Sequence, residues 1–339
     1  MDQKQLALHV PLAEHLTIER ANEFARLSEG AKDLLVDAKS AATRRAYKQD
    51  WSDFESWCAE LDRVALPADT KTVTAYVRHL FEENQKSKTI GRVISALAFV
   101  HRAKAIDWKA THDAAIAVLG GARRRRAGTE RVEKKNPVTP ALLQRLIRAL
   151  TGSEANPVAD ARDRAILLTG WTGAFRRSEL VALDVADLEF TPDGDTIVHI
   201  RKSKTDQEGK GATKVLPKAR DPELCATAAL QLWLTAAEID EGAVFRGVTD
   251  VGTVRKGRLS DRSVAEIVKR TATRAGLSER LMKALSGHSL RSGFITEARR
   301  KGRGDHEIMQ QSGHKSREML DEYTHVIDQV KTSAARGLL

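Results

Sequence analysis

Six side chains in the second half of the sequence could together act on a phosphodiester. Arg176 stands in Gly173-Ala174-Phe175-Arg176-Arg177-Ser178-Glu179-Leu180, and Lys204 in Arg201-Lys202-Ser203-Lys204-Thr205. His288 and Arg291 share Gly287-His288-Ser289-Leu290-Arg291-Ser292-Gly293, and His314 lies in Ser312-Gly313-His314-Lys315-Ser316. Of the three tyrosines, Tyr47, Tyr76 and Tyr323, only Tyr323 lies beyond residue 76. Cleaving a phosphodiester takes a nucleophile, positive charge against the non-bridging oxygens and a proton for the leaving oxygen. A guanidinium stays charged and offers a planar fork of donors to two oxygens at once. A phenol, with an ordinary pKa near ~10, serves as nucleophile once positive neighbours or proton transfer activate it.

The two histidines follow Gly287 and Gly313, where helices are expected to begin and backbone N–H groups favour an anion. His288 falls on the face of Arg291, three residues on, if the helix has begun. A metal is the competing use of two histidines, but neither a carboxylate nor a cysteine accompanies them at ligand spacing. Cys58 and Cys225 are far apart in sequence and fit buried thiols in a reducing compartment.

The elements that must position these groups divide the 339 residues into more than one core. Residues 1–40 read as an N-terminal extension with weak helical periodicity. Over residues 41–120 the apolar spacing predicts three helices. The first begins after Ala41, with Thr43 or Ala42 near its start, runs to about Glu60 and has a stripe of Tyr47, Trp51, Phe54, Trp57 and Cys58; the others span about Thr70 to Glu83 and Ser87 to Lys104. Gly120-Gly121 opens a basic linker, 121–138, which ends at Asn136-Pro137; Thr139 and Pro140 then start a helix as N-cap and first residue. Residues 139–339 read as mostly helical. Short β-prone runs at Leu188–Phe190, Ile197–Ile200 and Thr213–Leu216 are separated by Asp193-Gly194 and Gly209-Lys210-Gly211, the punctuation of antiparallel hairpins.

Charge points to a polyanion. The net charge is +10, and residues 121–138 alone carry seven basic and two acidic side chains. Duplex DNA suits such a field. Arg123, Arg124, Arg125 and Arg126 have no apolar face beside them, which counts against a membrane surface, and neither end carries an apolar run long enough for a span. The helix near Ser87 is also acid-free, with Lys86, Lys88 and Arg92 among its cations, and is expected to lie along phosphates.

Taken in order, these boxes resemble the tyrosine recombinases of the phage-integrase type, and the two-domain layout resembles the family's Cre-like members. Arg176-Arg177-Ser178-Glu179-Leu180 matches the family's first box, Lys204 its hairpin lysine, and His288-Ser289-Leu290-Arg291 its second box. Gly313-His314, with Tyr323 nine residues after the histidine, matches the third. The resemblance implies a mainly α fold: a small all-helical core DNA-binding domain over 41–120, then a larger mostly helical catalytic domain with a small antiparallel sheet and a C-terminal tail. It implies Tyr323 as nucleophile, Arg176 and Arg291 as phosphate clamps, His288 and His314 as proton carriers and Glu179 as a supporting group. Lys204 is implied as the general acid, with Lys202 the competitor or a backbone contact. It further implies no cofactor, metal or ATP. The partners would be double-stranded DNA with inverted-repeat sites and further copies of the chain, as a dimer on one site and a tetramer in synapsis. The setting would be cytoplasmic and nucleoid-associated. Two other activities share such residues: nicking and religation of one duplex in the manner of a type IB topoisomerase, and DNA binding without cleavage.

Overall fold

The computed structural model describes residues 39–128, 136–151, 155–201 and 211–321, with Glu23, Arg26 and Leu27 besides. The chain forms two compact units, Met1–Val132 and Glu133–Leu339.

The first unit is built from α1 (Ala41–Glu60), α2 (Thr70–Glu82), α3 (Ser87–Ala103) and α4 (Lys109–Arg125). Ser40 Oγ accepts from Thr43 N at the start of α1, and the Asp69 carboxylate accepts from Thr72 N at the start of α2. Both meet backbone donors that have no partner within the helix. Phe54, Cys58, Val73, Tyr76, Val77, Ile90, Ile94, Leu97 and Leu119 make the core. His101 is wholly buried there: Ala68 N donates to its Nε2, and its Nδ1 bonds Leu97 O. Burial holds its pKa below the ordinary value, so the ring is neutral.

Helix α4 departs from the sequence reading, in which Gly120-Gly121 opened a linker. The helix runs through both glycines, and Arg123, Arg124 and Arg125 form its last turn. Two physical effects hold it: Ala115, Leu119 and Ala122 are buried, and cations at a helix C-terminus complement its dipole.

The second unit surrounds α6 (Pro157–Thr172), whose residues Ala165 to Gly170 are all buried. Around it stand α5 (Pro140–Arg148), α7 (Arg177–Ala182), α8 (Ala226–Ala236), α9 (Asp261–Arg274), α10 (Glu279–Ala284), α11 (Ser289–Arg300), α12 (Asp305–Ser312) and α13 (Arg317–Asp321). Strands β1 (Leu188–Phe190), β2 (Thr196–Ile200) and β3 (Ala212–Leu216) form one antiparallel sheet in that order, with Val198 opposite Leu188 on one side and Lys214 on the other. A second hairpin, β4 (Arg246–Val248) with β5 (Val254–Arg258), was not expected from the sequence. Among the described residues, no helix is long and apolar enough to cross a membrane.

Candidate active site

Arg176 is the N-cap residue of α7. Its backbone N–H donates to Glu179 Oε2 at 3.0 Å, and its Nη1 to Glu179 Oε1 at 2.5 Å. Glu179, the third residue of that helix, thus binds both the backbone and the guanidinium of the arginine. Arg176 Nη2 donates to Gly313 O at 3.1 Å. Gly313 ends α12 with φ of 68°, in the left-handed region. A glycine adopts this without the steric cost a side chain brings, and the chain turns there to present His314.

Arg291 and His314 meet although 23 residues separate them. Arg291 lies in the first turn of α11 and is 1% exposed. Its Nη1 donates to Ala174 O at 2.7 Å and its Nη2 meets His314 Nε2 at 3.0 Å. A guanidinium only donates, so Nε2 must accept; the ring proton then sits on Nδ1, which is 2.8 Å from Ser312 Oγ. Burial first, then the charges of Arg291 and Arg176, push the His314 pKa down to about 3. The imidazole is therefore neutral at ordinary pH. His288 precedes α11 and is exposed. The surrounding protein, followed by Arg291, Arg177 and Arg176, holds its pKa below the ordinary value as well. Gly293 lets this helix approach the chain entering the unit: a Cβ there would fall 2.1 Å from Val138 O.

The structure thus brings together Arg176, Glu179, His288, Arg291 and His314 from three separate stretches of sequence. Lys204, its competitor Lys202 and Tyr323 lie outside the described residues. A further cation, which the sequence reading passed over, is Lys214 of β3. It is 4% exposed and its Nζ lies 3.9 Å from Glu179 Oε2. The signal was present, because Lys214 is two residues before the buried Leu216 and so on the inward face of the strand.

The DNA-facing cations foreseen in the first unit separate into two kinds. Lys88, Arg92, Arg123 and Arg126 line one groove of about 960 Å³. Lys86, Lys88, Arg92, Arg123, Arg124 and Arg125 are exposed. Of these, Arg92 donates from Nε and Nη2 to the Asp50 carboxylate at 2.9 and 2.8 Å. Arg126 donates to Phe81 O and Gln85 O, with its guanidinium 4.2 Å from the Phe81 ring centroid. These two act within the unit and have fewer donors left for phosphate.

The phage integrase family model matches residues 138–329, and the N-terminal SAM-like domain of phage integrases matches residues 31–105. The chain belongs to the phage integrase family. An integrase/recombinase XerD homologue of Selenomonas ruminantium is 38% identical over 306 residues, covering 90% of this chain and 87% of the relative. The recombinase Cre of Escherichia phage P1 is more distant, 24% identical over 289 residues and 80% of each chain. Among solved structures, the Tn1549 transposon integrase in complex with transposon right end DNA has the same fold. Its TM-score is 0.57 at 16% identity, covering 86% of this chain and 93% of that one. The chain is a tyrosine site-specific recombinase of mainly α fold.

Proposed function

We propose that Tyr323 attacks a phosphodiester at a defined DNA site. Its phenol oxygen bonds to phosphorus as the bond to the 5′ oxygen breaks, leaving a 3′-phosphotyrosyl link and a free 5′-hydroxyl. Arg176 and Arg291 hold the non-bridging oxygens, where charge gathers in the transition state. His288, neutral and solvent-accessible, takes the phenolic proton, and Lys204 gives a proton to the leaving oxygen. His314 accepts from Arg291 without DNA. When a phosphate draws Arg291 Nη2 to itself, a proton must reach His314 Nε2 before that ring can donate to the phosphate.

The phosphotyrosyl bond keeps the energy of the original ester, so the 5′-hydroxyl of another strand reverses the attack without ATP. Two such exchanges between duplexes pass through a Holliday junction. Two copies of the chain bind one inverted-repeat site and four form the synaptic complex. The work takes place in the cytoplasm, on nucleoid DNA. The Tn1549 integrase complex with transposon end DNA supports duplex DNA as the partner.

One observation carries this reading: two guanidinium forks and two imidazoles converge, Arg176 from more than a hundred residues before His288, Arg291 and His314. The two guanidiniums supply the positive charge and the planar donors that a phosphodiester anion accepts. The test is to incubate the chain with a genomic DNA library, capture covalent protein–DNA adducts and sequence their ends. Recurrent ends flanked by inverted repeats are expected. Adducts scattered without a shared sequence would point to nicking and religation of any duplex instead.

A further inference from the structure

The chain before Arg176 is held by side chains on three successive carbonyls. Thr172 O accepts from Gln311 Nε2 at 3.0 Å, Gly173 O from Lys214 Nζ at 2.8 Å and Ala174 O from Arg291 Nη1 at 2.7 Å. Ala174 has φ of 47°, a left-handed conformation that costs an alanine energy and persists where its surroundings over-determine it. Lys214 Nζ also donates to Gln311 O at 2.8 Å, one residue before Ser312, Gly313 and His314. A third, longer bond reaches Ala174 O at 3.4 Å. One ammonium therefore joins the segment that carries Arg176 to the helix end that carries His314.

We propose that Lys214 is a positioning residue for strand cleavage, tying the Arg176 turn to the His314 end of α12 so that the phosphate-binding groups stand in register before DNA arrives. This rests on the recombinase reading above. Lys214 is not placed to donate a proton to DNA: it is 4% exposed, and its donors are directed at backbone carbonyls. Nor is it a packing group. Burial of an ammonium is unfavourable, and here burial, with repulsion from Arg291 and Arg176, outweighs attraction to Glu179 and lowers its pKa to about 7. An apolar side chain would fill the same space beside the Phe175 ring, 4.6 Å from Nζ, but would leave the carbonyls of Gly173 and Gln311 without this donor.

The experiment compares full-length wild type, Lys214→Met and Lys214→Arg on a duplex recovered by adduct capture, made with an ordinary linkage and with sulfur as the 5′-bridging atom. Lys214→Met should bind the duplex within about twofold of wild type and cleave both linkages about 100-fold more slowly, the cost of displacing reacting groups by about an ångström. Lys214→Arg, which keeps the charge and donors, should recover about tenfold of that loss. Lys214→Gln, expected to show the same slowing as Met, serves where the Met variant does not fold. Cleavage at the wild-type rate by the Met or Gln variant would overturn the proposal. So would rescue by sulfur, which would make Lys214 the proton donor, or a loss of DNA binding as large as the loss of cleavage. Failure of wild type itself to form an adduct would count against the recombinase reading instead.

Discussion

The arginine run at the end of α4 offers a quantitative test, because its four members are not equivalent. Arg123, Arg124 and Arg125 are exposed, whereas Arg126 is committed to Phe81 O, Gln85 O and the Phe81 ring. Each phosphate neutralised contributes about 0.9 to the slope of log affinity against log salt. Replacing Arg123, Arg124 and Arg125 together with alanine should then reduce the slope by about 2.7. Between 50 and 200 mM salt, the affinity lost by wild type should exceed that lost by the variant by a factor of about 40. Arg126→Ala should leave the slope nearly unchanged and lower the stability of the first unit by about 1–3 kcal/mol, for a cation–π contact and two hydrogen bonds. Fluorescence anisotropy with labelled duplex across a salt series reads the first effect, and urea unfolding reads the second. A slope unchanged in the triple variant, or reduced by Arg126→Ala alone, would refute the division drawn from the structure.

Arg291→Lys keeps the charge but cannot serve Ala174 O and His314 together; single-turnover cleavage should fall by about 100-fold or more with DNA affinity little changed. The buried histidines predict a pH effect on the free protein. The folded His314 pKa is about 3 and the unfolded value near ~6.5, so below pH ~6.5 the unfolded chain binds a proton that the folded chain does not. Stability should therefore fall as pH drops from about 6.5 to about 5, and His314→Gln should lessen that fall in urea titrations; an identical fall in both proteins would contradict the assignment.

Much of the fold was legible because the chain's strongest signals are local. The stripe from Tyr47 to Cys58 marks α1 and Asp193-Gly194 marks the β1–β2 turn, whereas the Ser40 and Asp69 caps that delimit α1 and α2 emerged only in the structure. Helix α4 was hidden because alanine and paired glycines blur its periodicity, and burial against its neighbours, not local propensity, sustains it. Strand β5, Val254-Arg255-Lys256-Gly257-Arg258, is mostly exposed and carries little β signal of its own. At the site, the box residues can be picked out one by one from sequence. That Arg291 donates to His314, and that Lys214 turns inward to backbone carbonyls, depends on contacts between segments far apart in the chain. A charged residue on an inward strand position is the single cue that spacing offered.

The most direct test of the central claim is a denaturing gel of labelled duplex incubated with wild type and with Tyr323→Phe. That substitution removes one oxygen, the proposed nucleophile, and the chain has no other tyrosine beyond residue 76. Wild type should give a protein-linked band that is lost on protease treatment, and Tyr323→Phe should bind the same duplex with similar affinity and give none. A covalent adduct formed by Tyr323→Phe would contradict the account.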